Sequence, residues 1–134
     1  MNPESLIAAL LNNVAITALV GNRIALAQLP TNTTMPALVY SVIDTVPVPN
    51  LKATGTQMAR ARVQINPIGT TVAQVKQIAA AVRSVLDMEF YITEPVVAGR
   101  TVVSSRIDIV DRMDKDNDSG LWTQATDYIV QYYE

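Results

Sequence analysis

The chain has 134 residues and a mass of 14.5 kDa, the size of one compact unit, so residues 1–134 are expected to form a single domain. Ten basic and twelve acidic residues give a net charge of −2, and there is neither histidine nor cysteine. That composition excludes Ser-His-Asp and Cys-His nucleophiles, zinc sites built on imidazole or thiolate, disulfide staples and the strongly basic type of nucleic-acid binder.

The first segment reads as helix. Asn2 is placed as N-cap, Pro3 suits the first helical position, and Glu4 complements the positive end of the dipole. Leu6, Ile7, Leu10, Leu11 and Val14 recur at three- and four-residue spacing and form one apolar face. Asn12 and Asn13 divide the segment into a long and a short helix, and Gly21 terminates it. The apolar stretch 6–20 is too short to cross a bilayer, and its start lacks the basic residues of a secretory leader, so no membrane association is expected.

Residues 22–36 hold Asn22, Pro30, Asn32 and Pro36 and read as a loop with a short extended piece at Arg23, Ile24 and Ala25. The β-branched run 37–43 is a strand, and Pro47 and Pro49 are expected to end its pairing. A long loop or arm then leads to a second strand over 58–65. There Arg60, Arg62 and Gln64 alternate with Ala61, Val63 and Ile65. Residues 66–69 read as a turn.

Residues 71–86 carry the clearest helix. Thr71 and Gln74 have capping-box spacing, and Val72, Val75, Ala79, Val82 and Leu86 trace one stripe, thickened by Ile78 and Val85. Residues 88–93 suggest an irregular edge strand. Residues 101–112 read as a strand whose pattern is mixed. A polar turn over 114–120 leads to a last strand at 121–133, the two runs forming a hairpin. The expected fold is α+β: an antiparallel four-stranded sheet with two helices packed on one face, in the order α-β-β-α-β-β.

Candidate chemistry is sparse. Asp114, Asp116 and Asp118 occupy positions 1, 3 and 5 of an EF-hand-like loop, but Ser119 stands where glycine belongs and Ala125 where the bidentate glutamate belongs. A solvated turn is the plainer reading. Arg60, Arg62, Arg106 and Arg112 form a basic stripe with no aromatic residue interleaved for base stacking, and Asp108 beside Arg106 points to ordinary surface pairing. The carboxylate pairs Asp108 with Asp111 and Glu89 with Glu94 come with no sign of a cleft, and the scattered glycines cradle no phosphate. No enzyme activity, catalytic residue, cofactor or metal is expected. Trp122, Tyr128, Tyr132 and Tyr133 cluster on the last strand. Adjacent Tyr132 and Tyr133 face opposite sides, which makes Tyr133 an interface candidate.

Several segments together resemble the tail completion, or tail terminator, proteins of long-tailed double-stranded DNA bacteriophages. Residues 18–24 look like the family's first helix running into a small-residue turn, and Pro36, Ala37, Leu38, Val39 and Tyr40 like its proline-led first strand. Residues 62–66 followed by 72–86 are similar to its second strand and long helix, and 127–130 to its last strand.

The resemblance implies a structural virion protein of the tail or neck, made in the host bacterial cytoplasm. It would terminate the tail tube and join it to the head–tail connector or stopper. It would act as a ring, usually hexameric, with DNA passing through the channel without sequence-specific binding. Its implied partners are further copies of itself, the tail tube protein and the connector. On that expectation the loops at 46–57 and 111–120 are the contact arms. Val46, Val48 and Leu51 are the apolar anchors of the first, and Asp114, Asp116 and Asp118 face the channel or a basic partner in the second. Two other readings stand beside it: a neighbouring head–tail connector or stopper protein, and a small calcium-dependent binding module using the acidic turn.

Overall fold

The computed structural model describes residues 3–30, 33–48, 58–89 and 96–133, without the side chains of Val48, Met88 and Glu89. Helices α1 (Pro3–Leu11) and α2 (Val14–Val20) open the chain. Strands β1 (Ile24–Leu26), β2 (Ala37–Val48) and β3 (Met58–Gly69) follow, then helix α3 (Val72–Leu86). The remainder is β4 (Met88–Glu89), β5 (Val96–Val97), β6 (Arg100–Val110), β7 (Asp114–Lys115), β8 (Trp122–Thr123) and β9 (Thr126–Tyr133).

The sheet runs in the order β1-β2-β3-β9-β6-β4, with β8 pairing β3 and β7, and β5 pairing β6. It is mixed, because β1 lies parallel to β2 with Ile24 opposite Leu38. This corrects the expected four-stranded antiparallel sheet with two helices. There are three helices among the described residues, and short strands extend the sheet beyond the four long ones. The expected order left those strands out, although extended pieces were foreseen at 23–25 and 88–93, because two or three residues carry too little periodicity to count as elements of a sheet.

Three further expectations change. β2 continues through Pro47, which stands opposite Ala59. Beyond Tyr40 the strand has β3 as its one neighbour among the described residues, and an edge strand tolerates proline's missing donor. β3 likewise continues through Pro67 to Gly69 instead of turning at residue 66. Pro67 falls opposite the break at residues 124–125 between β8 and β9, where no ladder bond is lost. That same break divides the expected last strand in two. The arm expected at 46–57 is strand at its start, and residues 49–57, with Leu51, lie outside the described residues, as do residues 90–95 of the expected edge strand.

The three helices cover one face of the sheet. Leu6, Ile7 and Leu11 from α1, Ile16 and Val20 from α2, and Ile78, Val82 and Leu86 from α3 meet Ala61, Val63 and Ile65 of β3 and Tyr128, Val130 and Tyr132 of β9 in one core. Burying each large apolar side chain contributes roughly 1.5–3 kcal/mol. Local signals set the ends. The Asn13 side chain accepts the Ala15 N–H and starts α2, and Gly21, at φ +61°, ends it with a conformation that glycine takes without Cβ strain. Thr71 caps α3 by accepting the Gln74 N–H, while Gln74 Oε1 reaches back to the N–H and hydroxyl of Thr70, one residue earlier than a capping box would place it. No single helix among the described residues is long and apolar enough to cross a membrane, and α1 and α2 meet at an 80° bend.

Candidate functional site

The face of the sheet away from the helices is polar. Arg60, Arg62, Gln64 and Asn66 of β3 point to it, alternating with the buried Ala59, Ala61, Val63 and Ile65. Ladder registers set Asp44, Arg62, Ile129 and Arg106 side by side across β2, β3, β9 and β6. At the centre Arg62 Nη1 donates to Asp108 Oδ2 at 2.6 Å and to Asp127 Oδ2 at 3.4 Å. The hydrogen bond to Asp108 is the main reason the guanidinium's pKa rises further above its already high value. Asp108 therefore serves Arg62 two strands away and not its chain neighbour Arg106. Sequence reading missed this network because the β6 register shifts between Ile107 and Ile109, at Asp108.

Three aspartates, 44, 108 and 127, thus share this face with three arginines, 60, 62 and 106. Of the basic stripe foreseen from sequence, Arg60, Arg62 and Arg106 share this face with their charge offset in place, while Arg112 lies beyond β6 beside Asp114.

The sequence-derived interface residues fall at two distant places. Val46 is exposed on β2 opposite Arg60. Val48 ends β2 opposite Met58, and Tyr133, half-buried, stands on the other side of Met58, so Val48 and Tyr133 flank one position. Asp114 lies on β7 opposite Thr123, which itself pairs with Ile68 at the far end of β3. At about 3.4 Å per residue, Arg60 and Ile68 are about 27 Å apart along the strand, so the two sets do not form one surface patch.

The second predicted arm is a hairpin built by its own polar groups. Asp116 Oδ1 accepts the Asp118 N–H at 3.0 Å, and the Asp116 carbonyl accepts the Gly120 N–H at 2.7 Å. Lys115 Nζ lies 5.6 Å from the Trp122 ring centroid, and Arg112 lies 3.9 Å from Asp114. Asp114, Asp116 and Asp118 are all exposed. No group of three or more acidic side chains among the described residues is arranged to hold a metal ion.

Exposed apolar side chains mark both long margins of the sheet: Ile43 and Val46 on β2, Ile109 and Val110 on β6. Beside Val110, Ala79 and Ala80 of α3 leave a groove of about 300 Å³. Elsewhere a shallow cavity of about 450 Å³ is lined by Leu29, Val39, Ile68 and Leu121 beside the acidic hairpin. The run Ile109-Val110 breaks strand alternation in the sequence, and that was the available signal for an exposed apolar pair.

The family of tail completion protein gp17 matches residues 4–129. A chain from a structure titled "Virion of native gene transfer agent (GTA) particle" superposes with a TM-score of 0.72 at 15% identity, covering 98% of this chain and 93% of that one. A second solved structure gives a TM-score of 0.54 at 14% identity over 99% of this chain and 95% of its own. At such identities the likeness speaks for a shared fold. A search of curated proteins gave no significant match. The family match spans nearly the whole chain, which therefore belongs to the tail completion protein gp17 family, a structural, tail-related component of bacteriophage-type virions.

Proposed function

We propose that this protein closes the end of a tail tube and joins it to the head connector, acting as a head-to-tail ring of identical subunits, six in number, with DNA passing through the centre. The family match over residues 4–129 carries the reading. The surface supports it in two ways. A closed ring needs two different patches on one subunit, and both margins of this sheet carry exposed apolar side chains. A channel wall must also let phosphates slide, and a face on which aspartates offset arginines holds DNA weakly.

In this reading residues 1–134 act as one domain, without cofactor and without catalysis. The partners are further copies of the chain, the tail tube protein and the connector or stopper. The protein is made in the host cytoplasm and resides at the tail or neck. Val46, Val48 and Tyr133 then belong to one contact region, and Asp114, Asp116 and Asp118 to a separate one at the other end of β3. Leu51 stays with the first set by sequence alone.

The test is solution mass by light scattering, then mixing with purified tail tubes under the electron microscope. A ring-sized mass, or a cap at one tube end, is the expected result. A chain that ignores tubes but binds a connector ring is a stopper instead. One that ignores both overturns the proposal.

A further inference from the structure

The two margins of the sheet complement each other. On β2, Ile43 and Val46 flank Asp44, and all three are exposed. Asp44 makes no ion pair among the described residues. On the opposite margin, Val110 of β6 lines the groove with Ala79, Ala80 and Lys76, and its exposed neighbour Ile109 stands next along the strand, opposite Asp127. Lys76 also makes no ion pair among the described residues, whereas its neighbour on the groove, Arg83, is bound to Asp87 at 3.2 Å. The four apolar side chains are 43–54% exposed, an unusual grouping for margins with no further role.

We infer that the β2 margin of one copy seats against the α3–β6 groove of the next, with Asp44 facing Lys76 and Ile43 and Val46 covering Ile109 and Val110. The inference rests on the ring reading above and names its subunit contact. The occupant is a second copy because Asp44 on one margin and Lys76 in the groove at the other, each beside exposed apolar side chains and neither in an ion pair among the described residues, are both on this chain. They lie on opposite sides of the sheet, with β3 and β9 between them. A two-fold pairing of β2 margins centred on this patch would set Asp44 against Asp44, and like charges brought together across an interface are costly. A head-to-tail contact avoids that clash and, repeated by rotation, closes a ring.

The chain has no cysteine, so engineered thiols report on this contact against a clean background. Val46→Cys and Val110→Cys are placed in one full-length chain. Within a copy they stand on strands three spacings apart, about 14 Å, beyond the roughly 7 Å that a disulfide can bridge between Cα atoms. Oxidation under conditions where the unmodified chain assembles, alone or on tail tubes, is expected to give a ladder of linked oligomers ending at the ring size. Each single-cysteine variant gives no ladder. Asp44→Lys in the two-cysteine background abolishes it, and adding Lys76→Asp restores it. If either thiol variant melts early, Ile43→Cys with Ile109→Cys replaces it.

Rings without a ladder overturn this contact and leave the ring reading standing. A ladder indifferent to Asp44→Lys overturns the charge pairing. A chain that never assembles, alone or on tubes, overturns both.

Discussion

Asp87 shows how much one side chain holds at the edge of this sheet. It caps α3, donating its N–H to the Arg83 carbonyl at 2.9 Å. Its Oδ2 accepts from Arg83 Nε at 3.2 Å, and its Oδ1 accepts the Ile107 N–H of β6 at 3.0 Å. One carboxylate therefore ties the helix end to the sheet and satisfies a donor on an outer strand. Asp87→Ala should cost about 1–3 kcal/mol in urea unfolding, because the Ile107 N–H loses its partner in a part-buried place. Nearby, Tyr128 is buried in the core. Burial first, and the Asp87 charge second, push its hydroxyl up to about 12. An unfolded tyrosine ionises near 10. Between those values the folded chain keeps a proton that the unfolded chain has released. Stability is thus expected to fall as pH rises through that window, by on the order of 2 kcal/mol. Chemical denaturation from pH 9 upward measures it, about a unit below the tyrosine reference. Tyr128→Phe should flatten the slope, and an unchanged slope would remove Tyr128 as its cause.

At the scale of elements, α3 is the part of the fold most fully written in the sequence. Its stripe, its cap and its end all follow from local chemistry, and Val75, Ile78, Val82 and Leu86 are indeed its buried residues. Thr71→Ala should cost about 1 kcal/mol by removing the acceptor for the Gln74 N–H. Ile78→Ala should cost about 2–5 kcal/mol by opening a cavity beneath the helix. Calorimetry distinguishes the two by the size of the fall in Tm. The strict alternation of β3 was equally legible, since one of its faces is buried throughout. β6 was less so. Its two register shifts, at Val102/Ser104 and Ile107/Ile109, insert residues that reset the alternation, which is why its pattern reads as mixed. β5 and β7 escaped altogether, and β1, β4 and β8 were read only as an extended piece, an edge strand and the start of the last strand, because a two- or three-residue strand is defined by its neighbour and not by its own side chains. Gly69 was expected in a turn and instead ends β3. A Cβ there would come within 3.0 Å of the Gln74 side chain, so glycine lets α3 start close against β3.

For the whole molecule, the sequence showed what kind of surface to expect but not how it is arranged. The charges on the sheet face come from four strands spread between residues 44 and 127, and registers alone bring them into one plane. The arrangement has a measurable consequence. Asp44, Asp108 and Asp127 stand among Arg60, Arg62 and Arg106, so the face as a whole is close to neutral. Replacing the three aspartates with asparagine keeps side-chain shape and leaves three cationic groups unopposed. If neutrality is what lets DNA pass, the triple variant should retain duplex DNA that the unmodified protein releases. The gain should be electrostatic, with log K falling against log salt concentration at a slope of up to about −2.7 for three phosphates neutralised. Fluorescence anisotropy with a labelled duplex across a salt series reads this directly. Asp108→Asn with Asp127→Asn also takes both charged partners from Arg62, so the thermal stability of the variants has to be followed in parallel. A folded triple variant that binds DNA no better than its parent would show that the phosphate backbone is kept off by something other than charge balance. The polar face would then lose its assignment as the wall that DNA slides along; assembly is followed separately, because Asp44 also belongs to the proposed subunit contact.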